Sequence, residues 1–581
     1  MSDTYQRYRS AEPPVPAETI TWNLYGAGTE SIGRAGQPER FPVPRPGADQ
    51  LLVRVDAVGM CFSDVKLIKQ GSKHPKLYDR DLARDPTRLG HEVALTVVRV
   101  GSALRDRYRP GMRLALQPDI YDEQGRSTAY GYTIPGGLTQ YHLIGPEVLS
   151  VQGKSFVLPL EADLGYAETA LTEPWACVEA SYTQRRRLEP KAGGTMWIVG
   201  RPGDATPYRC TGRLAAPARF VLTDVPAGLA AEVEAQARSR GAAVVVRNGL
   251  APQGYPDLRA QETGGTGFDD VIVLGPRSAQ AVGAAAAIVA RRGTFNVVGN
   301  APLDGPVQID MGRIHYDYIA YLGNPGPDAG ASYGEARNRC ELRAGGVALY
   351  VGAAGPMGQM HVQRALELRD GPATLVASDT NPVRLAAMMS GLAPLAEARG
   401  RTLLPVGPAE DLAAIVAKAT RGRGADDVIV SVPIAEVMAQ AATHMAVDGM
   451  LVFFAGVPNG TCGPLDLGKV YLHGAQYTGT SGSALPDQGV VIEKTVAHQL
   501  SPARSVGAVG GMEAAVEGVR AMLDGRFPGK ILIFPQVTGF PLTGLDQLAR
   551  TEPEVAARLG PGGVWTSAAE AALLDKYWAA P

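Results

Sequence analysis

Apolar and polar positions along the chain follow two patterns. Between about residue 19 and residue 160, apolar residues alternate over short runs. Leu51-Leu52-Val53-Arg54-Val55-Asp56-Ala57-Val58 and Glu92-Val93-Ala94-Leu95-Thr96-Val97-Val98-Arg99-Val100-Gly101 read as strands with one buried face. Residues 108–116 and 135–144 each read as a turn followed by a strand. Short strands at this spacing predict a small barrel or sandwich. Further along, compact apolar runs alternate with helical periodicity. Gly346-Val347-Ala348-Leu349-Tyr350-Val351 enters a glycine-rich turn, a helix is predicted over 359–369, and Thr374-Leu375-Val376-Ala377-Ser378 closes on Asp379.

Strand, glycine turn, helix, strand and terminal acid is the order of a dinucleotide-binding βαβ unit. Glycines permit a tight turn and close backbone approach to a pyrophosphate. The helix N-terminus faces that anion, and the acid reaches a ribose hydroxyl. The candidate residues are Gly352, Gly355, Pro356, Met357 and Gly358 in the turn and Asp379 after the second strand. Ala353 stands where the pattern expects its first glycine, with Gly352 one residue earlier, so an altered turn is expected. Asp379 has no basic residue directly after it, which favours NAD; Arg384 lies near enough downstream to keep NADP open.

This unit has an upstream copy. Ala180-Ser181-Tyr182 recurs as Ala331-Ser332-Tyr333, residues 191–200 recur as 343–352, and Asp269-Asp270-Val271-Ile272-Val273 recurs as Asp426-Asp427-Val428-Ile429-Val430. Asp310-Met311-Gly312-Arg313-Ile314 recurs as Asp466-Leu467-Gly468-Lys469-Val470. Matches kept in order at offsets that stay near 150 imply two tandem Rossmann-like, doubly wound α/β modules, 181–331 and 332–484. The first has Asp204 in its turn and Thr206 at the third glycine position, though Asp224 keeps the acid. It reads as a second, weaker nucleotide site or as a degenerate module kept for packing, substrate enclosure or subunit contact.

At 581 residues the chain has room for three or four domains. Its net charge of −2, with no basic or acidic block, gives no reason to expect nucleic acid or a membrane surface as partner. Residues 1–18 are polar and carry no apolar signal core, and the longest apolar run, about 281–290, is too short to span a bilayer. A cytoplasmic protein is expected. Cys61, Cys177, Cys210, Cys340 and Cys462 are scattered without a C-x-x-C pair, which argues against a disulfide framework. Past residue 484, residues 511–523 read as an amphipathic helix, 528–533 as a strand, and 567–576 as a solvated, packed tail helix.

Three polar points interrupt the β-rich region: Gly59-Met60-Cys61-Phe62-Ser63-Asp64, Leu89-Gly90-His91-Glu92, and Ala170-Leu171-Thr172-Glu173-Pro174-Trp175-Ala176-Cys177. Cys, His and Glu are competent ligands for zinc. Each point also has a plain structural reading: a buried thiol, a satisfied histidine, a Glu-Pro pair starting a helix. Their combination, with Gly136-Gly137 and Tyr141 between them and a Rossmann unit after, resembles the zinc-dependent medium-chain dehydrogenases and reductases, and within them the polyol and sugar-phosphate branch.

The resemblance implies the following. Residues 1–180 would be a GroES-like, β-rich catalytic domain, and 485–581 would return to it. Cys61 and His91 match zinc ligands. Glu92 matches the third position, as ligand or close partner, and Glu173 matches a carboxylate that binds zinc directly or through water; how they divide the fourth position stays open. Ser63 matches a proton-relaying hydroxyl and Asp64 a supporting neighbour. One catalytic zinc per chain is expected, because residues 117–132 lack the four cysteines of the family's second zinc. The implied activity is hydride transfer between a nicotinamide and a polyol or sugar-type alcohol, in a homodimer or tetramer. A threonine-type or simple secondary-alcohol dehydrogenase is an alternative, and so is an inactive nicotinamide-binding sensor or scaffold. Residues 66–76 carry Lys66, Lys69, Lys73 and Lys76, read as a loop that either holds a substrate phosphate or is simply solvated.

Overall fold

A computed structural model describes residues 3–10, 14–183 and 186–579. It is an α/β protein built on three large sheets. The first is eight-stranded and draws on both ends of the chain. Its main path runs Thr543–Gly544, Val506–Gly511, Lys530–Phe534, Leu51–Gly59, Glu92–Val100, Arg113–Leu116 and Val157–Leu160, with Tyr141–Ile144 also pairing on Leu51–Gly59. The junction between the two chain ends is antiparallel, with Leu532 opposite Gly59 and Ile533 opposite Val58. The strand Leu51–Gly59 is buried along its whole length because both of its faces are covered.

The other two sheets are parallel, six-stranded and topologically identical. In the second, Thr402–Val406, Thr374–Ser378, Val347–Val351, Ala425–Val430, Met445–Phe453 and Gln476–Gly479 lie side by side in that order. In the first the order is Ala243–Val246, Arg219–Thr223, Thr195–Val199, Phe268–Leu274, Val289–Val298 and Ala320–Asn324. Each reads 3-2-1-4-5-6 in strands of its own module, the doubly wound order in which ligands bind where the strand order reverses.

The copies differ at that reversal. In the second, the helix Pro356–Glu367 follows the first strand, beginning three residues before the predicted start because Pro356 suits a first helical turn. In the first, residues 200–218, all described, contain neither helix nor strand; they pack down as a lobe in which Tyr208, Cys210 and Leu214 join the core.

The helix Tyr166–Ala180 ties the eight-stranded sheet to the second parallel sheet and is buried on nearly every side. Glu173 and Pro174 therefore lie in mid-helix rather than at a helix start, with Glu570 instead capping the start by accepting from Tyr166 N at 2.7 Å and Ala167 N at 2.8 Å. Glu570 belongs to the tail helix Ser567–Tyr577, whose inner face is more buried than its composition suggested. Arg364 of the glycine-turn helix meets Glu179 in a two-pronged pair, both contacts 3.0 Å, which locks the two helices together. The lysine-rich stretch is only partly loop: Lys66 and Lys69 lie on the helix Phe62–Gln70, and short turns follow.

Candidate active site and cofactor groove

Cys61 stands at the N-cap of the helix Phe62–Gln70, just past the end of the strand Leu51–Gly59. Asp64, one turn in, accepts from Cys61 N at 3.1 Å through Oδ2, so the same carboxylate fixes the cap and faces the site. His91 directly precedes the neighbouring strand Glu92–Val100, and Glu92 opens it. Because the two strands are paired, with Gly59 opposite Glu92, both acid and imidazole arrive beside Cys61. One ligand atom each from Cys61, His91 and Glu92 lies within 4.8 Å of the others. Glu173 reaches toward this cluster from the helix Tyr166–Ala180 but stands outside that set of three.

The details suit a cation. Glu92 is wholly buried; its Oε1 accepts from Lys530 Nζ at 2.5 Å and its Oε2 has no hydrogen-bond partner. A Cβ on Gly59 would sit 2.0 Å from that Oε2, so only glycine leaves it room. His91 Nδ1 is 3.3 Å from Asp64 Oδ1, close but without hydrogen-bond alignment, while Nε2 is 3.3 Å from Ser63 Oγ. Burial alone would lower the His91 pKa, yet the neighbouring Asp64 and Cys61 carry it well above its ordinary value. A thiolate, an imidazole and a carboxylate at this spacing fit zinc.

Around this cluster the site is polar and enclosed. Burial pushes Glu173 up to about 7, opposed by His91 and reinforced by Glu92 and Asp119. Cys177, one turn further along, directs its thiol at Glu173 Oε1 over 3.8 Å, and burial raises its pKa. Tyr132 covers His91 with ring centroids 5.9 Å apart. His74 also packs on Tyr132, with ring centroids 5.3 Å apart, and burial beside Lys76 and Lys66 holds its pKa down at about 4. Lys76 is 3.6 Å from Asp119. The sequence reading passed over Lys530 and Asp119. A lysine opening the otherwise apolar strand Lys530–Phe534 was the available sign of the first.

At the glycine turn, Gly352 adopts φ +77°, and its N–H and that of Ala353 both donate to Ser378 O, at 2.9 and 3.0 Å. The altered turn is therefore built by moving the left-handed residue one position earlier. Ala353 is buried and tolerated. Gly358 answers a different need: a Cβ there would lie 2.1 Å from Gly352 O. Gly355 is the N-cap and Pro356 opens the helix, with no side chain capping its N–H groups. Asp379 Oδ2 accepts from Ala354 N at 3.0 Å and Oδ1 accepts from Asn381 N at 2.9 Å, with Arg384 Nη2 3.7 Å from Oδ1. Met357 is half-buried against the adjoining core.

The first copy keeps no such arrangement. Asp224 accepts from Gly249 N at 2.9 Å, away from its turn, and Asp204 is consumed locally by Thr206 N at 3.0 Å and Thr206 Oγ1 at 2.6 Å. With no helix at 200–218, no helix N-terminus faces that turn.

Comparison with known proteins agrees with this geometry. The alcohol dehydrogenase GroES-like domain family matches residues 47–152. Mannitol-1-phosphate 5-dehydrogenase of Aliivibrio fischeri is 28% identical over 329 residues, 53% of this chain and 75% of that protein. L-sorbose 1-phosphate reductase of Klebsiella pneumoniae is 27% identical over 50% of this chain and 72% of its own length. Among solved structures, 2R,3R-butanediol dehydrogenase of Bacillus subtilis aligns with a TM-score of 0.49 at 14% identity, covering 89% of this chain and 99% of that one. The fold and site define an oxidoreductase of the alcohol dehydrogenase class. Residues 47–152 belong to the alcohol dehydrogenase GroES-like domain family, and the chain is similar beyond them to polyol-phosphate dehydrogenases and reductases.

Proposed function

We propose that the protein interconverts a polyol or sugar-type alcohol, free or phosphorylated, with its ketone, using one zinc ion and one nicotinamide dinucleotide. The observation that carries this reading is the Cys61, His91 and Glu92 cluster beside a glycine-turn helix with a free N-terminus. Cys61, His91 and Glu92 would hold the metal, with Glu173 at or near the fourth position. Bound zinc supplies Lewis acidity toward the substrate oxygen, and the nicotinamide gives or takes the hydride.

The chain's own groups do the rest. Asp64 orients the His91 ring from behind. Ser63 Oγ, 3.3 Å from His91 Nε2, is placed to take the alcohol's proton and pass it outward. Lys530 neutralises Glu92 through Oε1 and leaves Oε2 without a hydrogen-bond partner. Gly352, Gly355, Pro356, Met357 and Gly358 would receive the pyrophosphate, and Asp379 with Arg384 the adenosine ribose. Asp379 favours NAD; Arg384, already beside it, suits NADP once that acid gives way.

Residues 1–180 and 485–581 form the catalytic part in this reading, 332–484 the cofactor module and 181–331 a degenerate one. The names of the phosphorylated-polyol relatives favour a polar substrate, and Lys66 and Lys76 near His74 suit a phosphate or several hydroxyls. The five free cysteines suit the reducing cytoplasm. No helix among the described residues is long and apolar enough to cross a membrane. The test is metal content of the purified protein together with nicotinamide absorbance change across a panel of polyols, polyol phosphates, secondary alcohols and threonine. A metal-free protein with full turnover, or no turnover on any of them, overturns the reading.

A further inference from the structure

The first module has no helix at its glycine turn, yet it keeps a reciprocal set of contacts with the second. A Cβ on Gly323, in the last strand of the first sheet, would lie 2.4 Å from Tyr471 Cβ in the second module. A Cβ on Gly479, in the last strand of the second sheet, would lie 3.0 Å from His315 Cα in the first. The step from 315 to 471 and the step from 323 to 479 are both 156 residues, so these are one contact made twice with the copies exchanged.

The exchange continues outward. His315, on the helix Met311–Tyr316, has Nδ1 3.0 Å from Phe453 O at the end of strand Met445–Phe453. Tyr471, on the helix Leu467–His473, donates its hydroxyl over 2.6 Å to Ala301 O, just past strand Val289–Val298. Between them the strands Val307–Asp310 and Cys462–Leu465, one from each copy, pair antiparallel, Val307 opposite Leu465 and Asp310 opposite Cys462. Both sheets share one hydrophobic core, in which Ile314 and Tyr321 meet Val470 and Tyr477. A surface on which residue i meets j while the equivalent of j meets the equivalent of i is isologous, the contact of a two-fold homodimer.

We infer that residues 181–331 are a built-in partner subunit, which occupies within one chain the face through which the cofactor module would otherwise pair with a second copy. The lost glycine-turn helix then costs nothing, because what the first copy retains is its pairing surface. It also reaches the cleft. Tyr318 donates its hydroxyl to Ser481 O at 2.5 Å, so the first copy holds one side of the segment that joins the cofactor module to the catalytic sheet, while Gln117 Nε2 of the catalytic part donates to Ser483 Oγ at 2.9 Å. Any homo-oligomer of this chain must use another face. The inference goes beyond the proposed reaction and rests on none of its chemistry.

The test is cross-linking in the full chain. Paired antiparallel residues have Cα separations of about 4.5–5.5 Å, within the range a disulfide spans. Asp310→Cys faces the native Cys462 in register. Gln308→Cys with Pro464→Cys, made on Cys462→Ser, avoids disturbing the Asp310 helix cap. On mild oxidation each is expected to lose two free thiols and to migrate faster as a single chain on a non-reducing gel, with a yield independent of protein concentration. Covalently linked dimers would place the pairing between chains and overturn the inference. Failure of both variants to cross-link would overturn it equally, because the two copies would then not be paired.

Discussion

Lys530 donates to Glu92 across 2.5 Å, and the two side chains are 4% and 0% exposed. They come from opposite ends of the chain and are brought together where the strands Lys530–Phe534 and Leu51–Gly59 pair. Glu92 pushes the Lys530 pKa up against the effect of burial. Removing one member of a buried pair strands the other, at a cost of about 3–5 kcal/mol. Lys530→Met is therefore expected to destabilise the metal-free protein by that amount in denaturant unfolding. Lys530→Met with Glu92→Gln should recover most of the loss. If the single and double variants are equally unstable, the pair is not what holds the two chain ends together.

The proposed metal site separates ligands from supports. Cys61→Ser and His91→Ala should lose zinc and turnover together. Asp64→Asn removes charge behind His91 while keeping shape, and loss of such a support weakens metal binding by about 10–100-fold. Chelator competition measures it. Ser63→Ala should keep zinc at full occupancy and lose about 10²–10⁴ in kcat, the range of a proton-transfer group. Zinc loss in Ser63→Ala would make Ser63 a structural residue.

The glycine turn gives a comparison within one molecule. Gly358→Ala places a methyl 2.1 Å from Gly352 O, so the helix must move from the turn, and nicotinamide affinity is expected to fall about 5–160-fold, the effect of 1–3 kcal/mol of overpacking. Thr206→Ala in the first module should change affinity by no more than about twofold, the scale of a surface substitution. Fluorescence titration with the reduced cofactor reads both. The reverse result would move the cofactor to residues 181–331. Asp379→Ser should raise the NADP-to-NAD ratio of kcat/KM, because it frees Arg384 from the acid 3.7 Å away.

How far the chain could be read before its structure depended on what kind of pattern carried each feature. The second Rossmann module was legible because strand, turn, helix and acid are local and ordered, and the repeat was legible because equivalent segments keep their order at nearly the same offset. Cys61, His91 and Glu92 were found through short motifs, and strand pairing explains why they meet. Lys530 was invisible: its partner is more than four hundred positions away, and only sheet register joins them. Glu173 was visible as a residue but misplaced locally, since Pro174 marks a helix start in most contexts and here lies inside a helix that Glu570 caps from the far end of the chain. Lys66 to Lys76 read as a loop because lysines obscure the apolar stripe Val65, Leu67 and Ile68, which buries one side of a helix. The missing helix at 200–218 left a sign in Pro202, Asp204 and Pro207, but its replacement by a packed lobe is a tertiary fact.

Glu570 gives a prediction in pH. It is wholly buried and pushed up to about 7, burial outweighing the two amides it accepts from and the nearby Arg113. An unfolded glutamate titrates near 4.3. Below that value both states hold the proton, and the contribution to stability is complete. As pH rises the unfolded chain ionises first, so the folded state binds more protons and stability falls, until both are ionised above about 7. The full loss is about 3.7 kcal/mol at 1.36 kcal/mol per unit, of which about 3 kcal/mol falls between pH 4.5 and 8. Glu570→Gln cannot ionise and keeps one of the two acceptors. Its stability, followed by urea unfolding between pH 4.5 and 8, should lack this fall, so that the difference wild type minus variant declines by about 3 kcal/mol across the window. Parallel profiles would mean that Glu570 caps the helix Tyr166–Ala180 as an ordinary exposed carboxylate does, and that its burial carries no penalty.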